Sequence, residues 1–222
     1  VNDLPLHRSI LAVDMERSTG PLRTNPIRGE LRRQLYAMLR AAMAHAGIGP
    51  GRHDPFEDRG DGVLALVHPA DEIPKTYLLS RLLPELNRLL LEYNLGLPPE
   101  EWPQRGLRLR AVVHAGEVHR DPDGYFGEAL DVACRLLDAR RLKASFAAVA
   151  APMIVVVSAD IYWNIVRHEY DGIRRDGYRP GVRVQVGGRR HEGWVHVPAE
   201  RAAWPPVAGV TPLRAVAAGP AA

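Results

Sequence analysis

The sequence predicts an α+β fold: a mostly antiparallel sheet with helices packed on one face. Three observations carry this. Short apolar runs such as "SILAVDM" and "MIVVVS" alternate with longer stretches whose apolar residues recur at helical spacing. Two glycine turns, Gly60-Asp61-Gly62 and Gly187-Gly188, sit where one strand doubles back on another. Strands joined by hairpins and interleaved with helices belong to this class rather than to a purely parallel sheet.

The elements follow in order. "SILAVDM" (9–15) is a strand ending on Asp14. Residues 27–47 place Ile27, Leu31, Leu35, Leu39, Ala42 and Ala46 on one helical stripe, which Gly47 ends. "FEDRGDGVLALV" (56–67) is a hairpin with an apolar second strand. Residues 74–94 form a leucine-rich helix that Pro84 should kink or split, because proline lacks an N–H and crowds the preceding turn. "LRLRAVVHAGEVHRD" (107–121) reads as two strands around a sharp turn at Ala115-Gly116. A helix over 127–146, a buried strand "MIVVVS", a short helix "ADIYWNIVRH" and a hairpin over 182–197 complete the domain. The expected domain covers residues 1–200, and 201–222 is a Pro/Ala-rich tail.

Composition narrows the function classes. The 222 residues are 46% hydrophobic and 25% charged, as in an ordinary globular domain, and the net charge of +3 is too small for a protein held to nucleic acid by bulk charge. No apolar run reaches the ~18 residues that would insert into a membrane. Lys75 and Lys143 are the only lysines, so the abundance of arginine reflects composition and does not itself mark a ligand. Cys134 is the only cysteine, which excludes an internal disulfide and suits a reducing cytoplasm. Its helical surroundings predict a small buried residue rather than a nucleophile. The nine histidines form no HxxxH or HExxH pair, so a zinc site is not expected.

The acidic turn is the first candidate site. Asp14 ends one strand and Asp61 precedes another. If those strands are neighbours, two carboxylates face the same space, and hard divalent cations use one or two carboxylates together with phosphate oxygens. Following Asp14, "MERSTG" offers Ser18 and Thr19 hydroxyls and backbone amides to phosphate. The alternative is that Asp14 caps a loop and Asp61 makes a solvated turn. A calcium loop fails, because aligning Gly62 with its glycine puts Arg59 and His68 where acids are needed.

Four stretches, "ILAVDMERST", "EDRGDGVLALV", "LRLRAVVHAGEV" and "DGYFGEALDVACRLLDA", together resemble the class III nucleotidyl cyclase homology domain in order and approximate spacing over residues 8–200. The resemblance implies a ferredoxin-like βααβαβ core acting as a head-to-tail homodimer, with sites at the interface. It implies conversion of a nucleoside triphosphate to a 3′,5′-cyclic nucleotide and pyrophosphate, using two Mg²⁺ or Mn²⁺ ions per site. Asp14 and Asp61 fall on the metal-binding aspartates and Arg110 on a residue that meets the terminal phosphates. Arg135 falls on the transition-state arginine supplied by the other protomer. Arg189 or Arg190 lies near a late phosphate-binding lysine.

The chain departs from that pattern at several positions. Asp131 stands where the family has asparagine, one helical turn before Arg135, so the two can pair with each other. Ser18 replaces a phenylalanine. Glu57 stands where adenylyl cyclases have lysine and guanylyl cyclases glutamate, while the partner position is Gly124. Tyr36 and Arg40 on the first long helix offer a second base pocket, as in the bacterial antiphage branch that cyclises pyrimidine nucleotides. The expectation is an active cyclase acting on GTP or a pyrimidine triphosphate such as UTP. The alternative is a degenerate domain that binds nucleotide or a protein partner in signalling or defence.

Overall fold

Apolar runs that do not alternate with polar residues belong to strands covered on both faces. The structure, a computed structural model, describes residues 4–198. Strand β1 (Leu6–Met15) is followed by helix α1 (Asn25–His45), a hairpin of β2 (Glu57–Asp58) and β3 (Gly62–Val67), and helix α2 (Leu83–Leu95). Then come α3 (Trp102–Arg105), β4 (Leu109–Asp121), β5 (Gly124–Phe126), α4 (Glu128–Leu137) and α5 (Arg140–Ala147). Strand β6 (Met153–Ser158), α6 (Ala159–Asn164), β7 (Tyr178–Val186) and β8 (Arg189–His196) follow. The sheet order is β2-β3-β1-β4-β6-β8-β7, with β5 paired to β4 off this path. Only the β4–β6 pairing is parallel among these ladders.

Both faces of the sheet are covered, which corrects the one-face expectation. Odd-numbered β1 residues Leu11, Val13 and Met15 pack with Leu31, Leu35 and Leu39 of α1 and Leu86 and Leu90 of α2. Even-numbered Ile10 and Ala12 pack with Leu130, Ala133 and Leu136 of α4 and Phe146 of α5. The period of two along a strand makes two cores from one segment.

Several helix ends follow from single residues. Gly47 takes φ +76° after α1, and Ile48 and Gly47 N–H groups donate to the Met43 and Ala44 carbonyls, a Schellman motif. Pro84 does not break its helix. A π-helical stretch, Leu78–Leu82, runs straight into α2, and the Leu83 N–H donates to the Leu78 carbonyl. The wider turn accommodates the proline ring that an α-turn would crowd.

Two expectations give way. Residues 109–121 are one strand with no turn at Ala115-Gly116. Gly116 serves instead as a contact point: a Cβ there would lie 2.8 Å from the Ala129 Cβ, so its absence lets α4 sit close on β4. The helix expected over 127–146 is two helices, parted at Asp138-Ala139. The tail expected from 201 lies outside the described residues, as does the end of the expected domain.

Candidate active site

Register brings the two aspartates together. Asp14 of β1 stands opposite Gly62 of β3 on one side and opposite Arg110 of β4 on the other. The Met15 N–H donates to the Asp61 carbonyl at 3.0 Å. The Gly-Asp-Gly turn is what allows this approach. Gly60 takes φ +78°, and a Cβ at Gly62 would fall 2.5 Å from the Val13 carbonyl oxygen. Glycine is needed at both positions for different reasons, one conformational and one steric.

The charges are held tightly. Arg110 Nε and Nη2 donate to the two Asp14 carboxylate oxygens at 2.8 and 2.9 Å, a bidentate pair with side chains only 11% and 17% exposed. Burial pushes the Asp14 carboxyl above its ordinary range and nearby Asp61 adds to the push, while Arg110 pulls it down. Ser18, buried, donates its hydroxyl to Asp61 Oδ2 at 2.7 Å. That bond follows from Arg17, whose left-handed φ of +55° helps turn the chain back toward the aspartates. Ser18 thus orients Asp61, whereas Thr19 is exposed.

Behind this end of the sheet lies a clamp the sequence reading missed. Arg108 donates to Glu16 at 2.6 Å and to the carbonyls of Phe146, Val149 and Ala151, tying the loop after β1 to α5 and its flank. The signal was present in "LRLR", where Arg108 stands just before β4 and Arg110 follows two positions later within it.

Asp14 and Asp61 offer hard oxygen donors that repel each other, which suits a divalent cation. Among the described residues no cluster of three or more His, Cys, Asp or Glu could hold a metal. Substrate oxygens and water would have to complete the shell. A cavity of about 260 Å³ opens beside Asp61 and is lined by Ser18, Arg23, Arg28 and Arg32 at the start of α1. Arg23 donates to the Glu16 and Gly106 carbonyls, and Arg32 is paired with Asp58. The uncapped first turn of α1 carries no acidic residue, so this cavity favours anions.

The remaining predicted residues lie elsewhere. Asp131 and Arg135 are exposed on α4, and no ion pair joins them to each other or to Asp14 and Asp61 among the described residues. Arg135 lines a cleft of about 370 Å³ between α4, α5 and β7, together with Arg140 and Arg141. Cys134 is exposed, which corrects the expectation of a buried residue, and desolvation raises its thiol pKa. Arg189 pairs with Glu128 at the first turn of α4. Arg190 lies beside it, lining a larger cleft with His114 and Ser158.

The two base-pocket candidates separate. Glu57 pairs with Leu64, which belongs to the core on the α4 side of the sheet, and it lies beside Gly124. Tyr36 packs on the opposite, α1 side, edge-on to Phe56, with the Arg40 guanidinium 5.5 Å from the Tyr36 ring centroid. The strand period sends Phe56 and Glu57 to opposite faces.

No protein-family model and no curated protein sequence matches the chain. Solved structures do match. An adenylate/guanylate cyclase/hydrolase from Silicibacter pomeroyi is 20% identical and aligns over 88% of this chain and 98% of its own, with a TM-score of 0.57. The guanylyl cyclase Cya2 is 17% identical over 86% of this chain and 92% of its own, with a TM-score of 0.57. The adenylyl cyclase CyaB from P. aeruginosa is 14% identical over 89% of this chain and 96% of its own, with a TM-score of 0.55. The chain therefore has the α+β fold of nucleotide cyclase domains. Among the described residues no helix is long and apolar enough to cross a membrane.

Proposed function

We propose that this protein is a nucleotidyl cyclase that converts a nucleoside triphosphate to a 3′,5′-cyclic nucleotide and pyrophosphate. The observation that carries the reading is the convergence of Asp14 and Asp61 at adjacent strand ends, with Arg110 locked to Asp14. The likeness in fold to adenylyl and guanylyl cyclases supports it. Two Mg²⁺ or Mn²⁺ ions held by Asp14 and Asp61 would lower the pKa of the attacking hydroxyl and neutralise the leaving oxygens.

The chain's own groups do the rest. Ser18 fixes Asp61 in one orientation. Arg110 neutralises Asp14 until phosphate oxygens compete for its guanidinium. The cationic cavity at the start of α1 takes the polyphosphate, and Thr19 stands exposed at its approach. Arg135 and Arg189 would come from the other protomer of a homodimer, which accounts for their lack of contact with the aspartates in one chain. Arginines placed where negative charge develops act by electrostatic preorganisation and need no side-chain nucleophile.

One observation favours a second reading, a degenerate domain that binds nucleotide or a protein partner without turnover. The Asp131 carboxylate is exposed on the same helix face as Arg135, where it would repel a triphosphate. A single experiment decides. The protein is incubated with each of the four nucleoside triphosphates and Mn²⁺, products are resolved by mass, and nucleotide affinity is measured in parallel. Cyclic product that falls by at least about 10²-fold in Asp61→Asn supports the cyclase. Binding without product supports the second reading.

A further inference from the structure

Glu16 is held through its backbone and its side chain at once. Its N–H donates to the Arg108 carbonyl at 2.8 Å, and its own carbonyl accepts from Arg23 Nη1 at 3.0 Å. Its carboxylate accepts from Arg108 Nη1 at 2.6 Å, with the two side chains only 11% and 13% exposed. Arg108 is fixed in turn by three carbonyls. Nη2 donates to Phe146 and Val149 at 2.7 and 2.9 Å, and Nε donates to Ala151 at 3.0 Å. The guanidinium carbon lies 3.9 Å from the ring centroid of fully buried Phe146. The segment anchored in this way is short. Met15 donates its N–H to the Asp61 carbonyl, Arg17 takes a left-handed φ, and Ser18 reaches Asp61 Oδ2. A side-chain-bearing residue keeps a left-handed backbone only where its surroundings impose it.

We propose that Arg108 is a positioning residue of the active site: through Glu16 it presets residues 15–18, so that Ser18 holds Asp61 in its cation-binding orientation. This rests on the cyclase reading of the site. Two charges in a largely buried pair give up hydration that an apolar pair would never have had. What the pair supplies is direction, because a planar guanidinium fixes the angle of each partner as well as its distance. Phe146 and Val149 lie at the end of α5 and Ala151 leads into β6, so the loop after β1 is referenced to the packed core. Arg108 bonds to neither aspartate among the described residues. Its influence on Asp61 therefore passes through Glu16 and the turn that follows.

The test uses the full chain and the variants Arg108→Met, Arg108→Lys, Glu16→Gln, Ser18→Ala and the double variant Arg108→Met with Ser18→Ala. Amide hydrogen exchange is followed in the nucleotide-free protein, and thermal melts check the fold. Mn²⁺ affinity is read by electron paramagnetic resonance with an uncleavable α,β-methylene triphosphate present, and kcat and KM are measured beside it. In Arg108→Met the Met15 and Glu16 amides should exchange at least about tenfold faster, while central β4 amides keep their protection. Mn²⁺ affinity should fall by about tenfold or more, the usual cost of losing a group that orients a metal ligand. Turnover should fall in kcat with KM changed by less than about threefold, because the arginines proposed to meet the phosphates are untouched. Arg108→Lys, which keeps a cation for Glu16, should restore part of both losses. Ser18→Ala should cost little more when Arg108 is already lost, since both act through one loop and independent losses would multiply. Unaltered exchange at residues 15–18 with unaltered Mn²⁺ affinity in folded Arg108→Met overturns the proposal. So do losses that multiply in the double variant. If Arg108→Met does not fold, Glu16→Gln, which leaves Arg108 its three carbonyls, decides by the same outcomes. Failure of every triphosphate to cyclise would sink the cyclase reading, and exchange and Mn²⁺ affinity would still decide whether Arg108 presets the loop.

Discussion

Asp14 cannot be both fully paired with Arg110 and freely available to a cation. The bidentate pair occupies both carboxylate oxygens in a largely buried setting. Cation binding should therefore follow the triphosphate, whose oxygens compete for Arg110. Removing the guanidinium leaves two carboxylates without their counter-charge, and charge-assisted hydrogen bonds are worth about 1.5–3 kcal/mol. Arg110→Ala should accordingly tighten Mn²⁺ binding to the nucleotide-free protein by at least about tenfold, read by electron paramagnetic resonance, while turnover falls. Equal Mn²⁺ affinity in the variant would show that Arg110 does not guard Asp14. His114 makes a different prediction, about pH. It is buried with Nδ1 2.8 Å from Ser158 Oγ, and desolvation lowers its pKa to about 4. Asp160 opposes that shift, while His191, Lys75 and His7 reinforce it. The folded state binds its proton less readily than the unfolded chain does. The stability His114 contributes is thus present above pH ~6.5 and lost as pH falls toward 4. Half-buried His196, also shifted down by desolvation, acts in the same direction. Denaturant unfolding should show falling stability across that window, and His114→Gln should flatten the slope. An unaltered slope in the variant would assign the loss to other groups.

Helix α4 and strand β4 meet at one glycine. Because a Cβ at Gly116 would lie 2.8 Å from the Ala129 Cβ, a group that cannot swing away, a larger residue must displace α4 itself. Gly116→Val should cost about 1–3 kcal/mol, the usual range for overpacking, measured by denaturant unfolding. A variant of wild-type stability would mean that α4 has slack against the sheet. This element also shows how a sequence reading goes wrong for a physical reason. Glycine signals a turn when only local conformation is considered, but here it marks a close approach between elements distant in the chain. Pro84 teaches the same lesson in reverse. Locally it predicts a kink or a break, yet the π-helical stretch before it absorbs the ring and the helix runs on.

Across the molecule, the residues of the proposed site fall into two sets that do not meet within one chain. Asp14, Asp61 and Arg110 occupy one sheet end, while Asp131 and Arg135 project from α4 into solvent. A head-to-tail dimer would bring one set against the other. Mixing inactive Asp61→Asn with inactive Arg135→Ala should then restore part of the activity, because one of the two sites in a heterodimer is intact. Mixtures that stay inactive while heterodimers demonstrably form would overturn shared sites.

The α+β class, the acidic hairpin and the two aspartates were legible in the sequence, because each depends on local features: apolar runs, glycine turns and a charged residue at a strand end. The pairing of Asp14 with Arg110, the Ser18 bond to Asp61 and the Arg108 clamp were not, since each joins segments from 43 to 96 positions apart or gathers several carbonyls around one side chain. Sheet register set those contacts, and register depends on how the whole set of strands buries its two faces at once. The same cause put helices on both faces and separated Glu57 from Tyr36. A residue's type and spacing say what chemistry it can perform, whereas the side of the sheet it occupies is fixed only when every strand has found its neighbour.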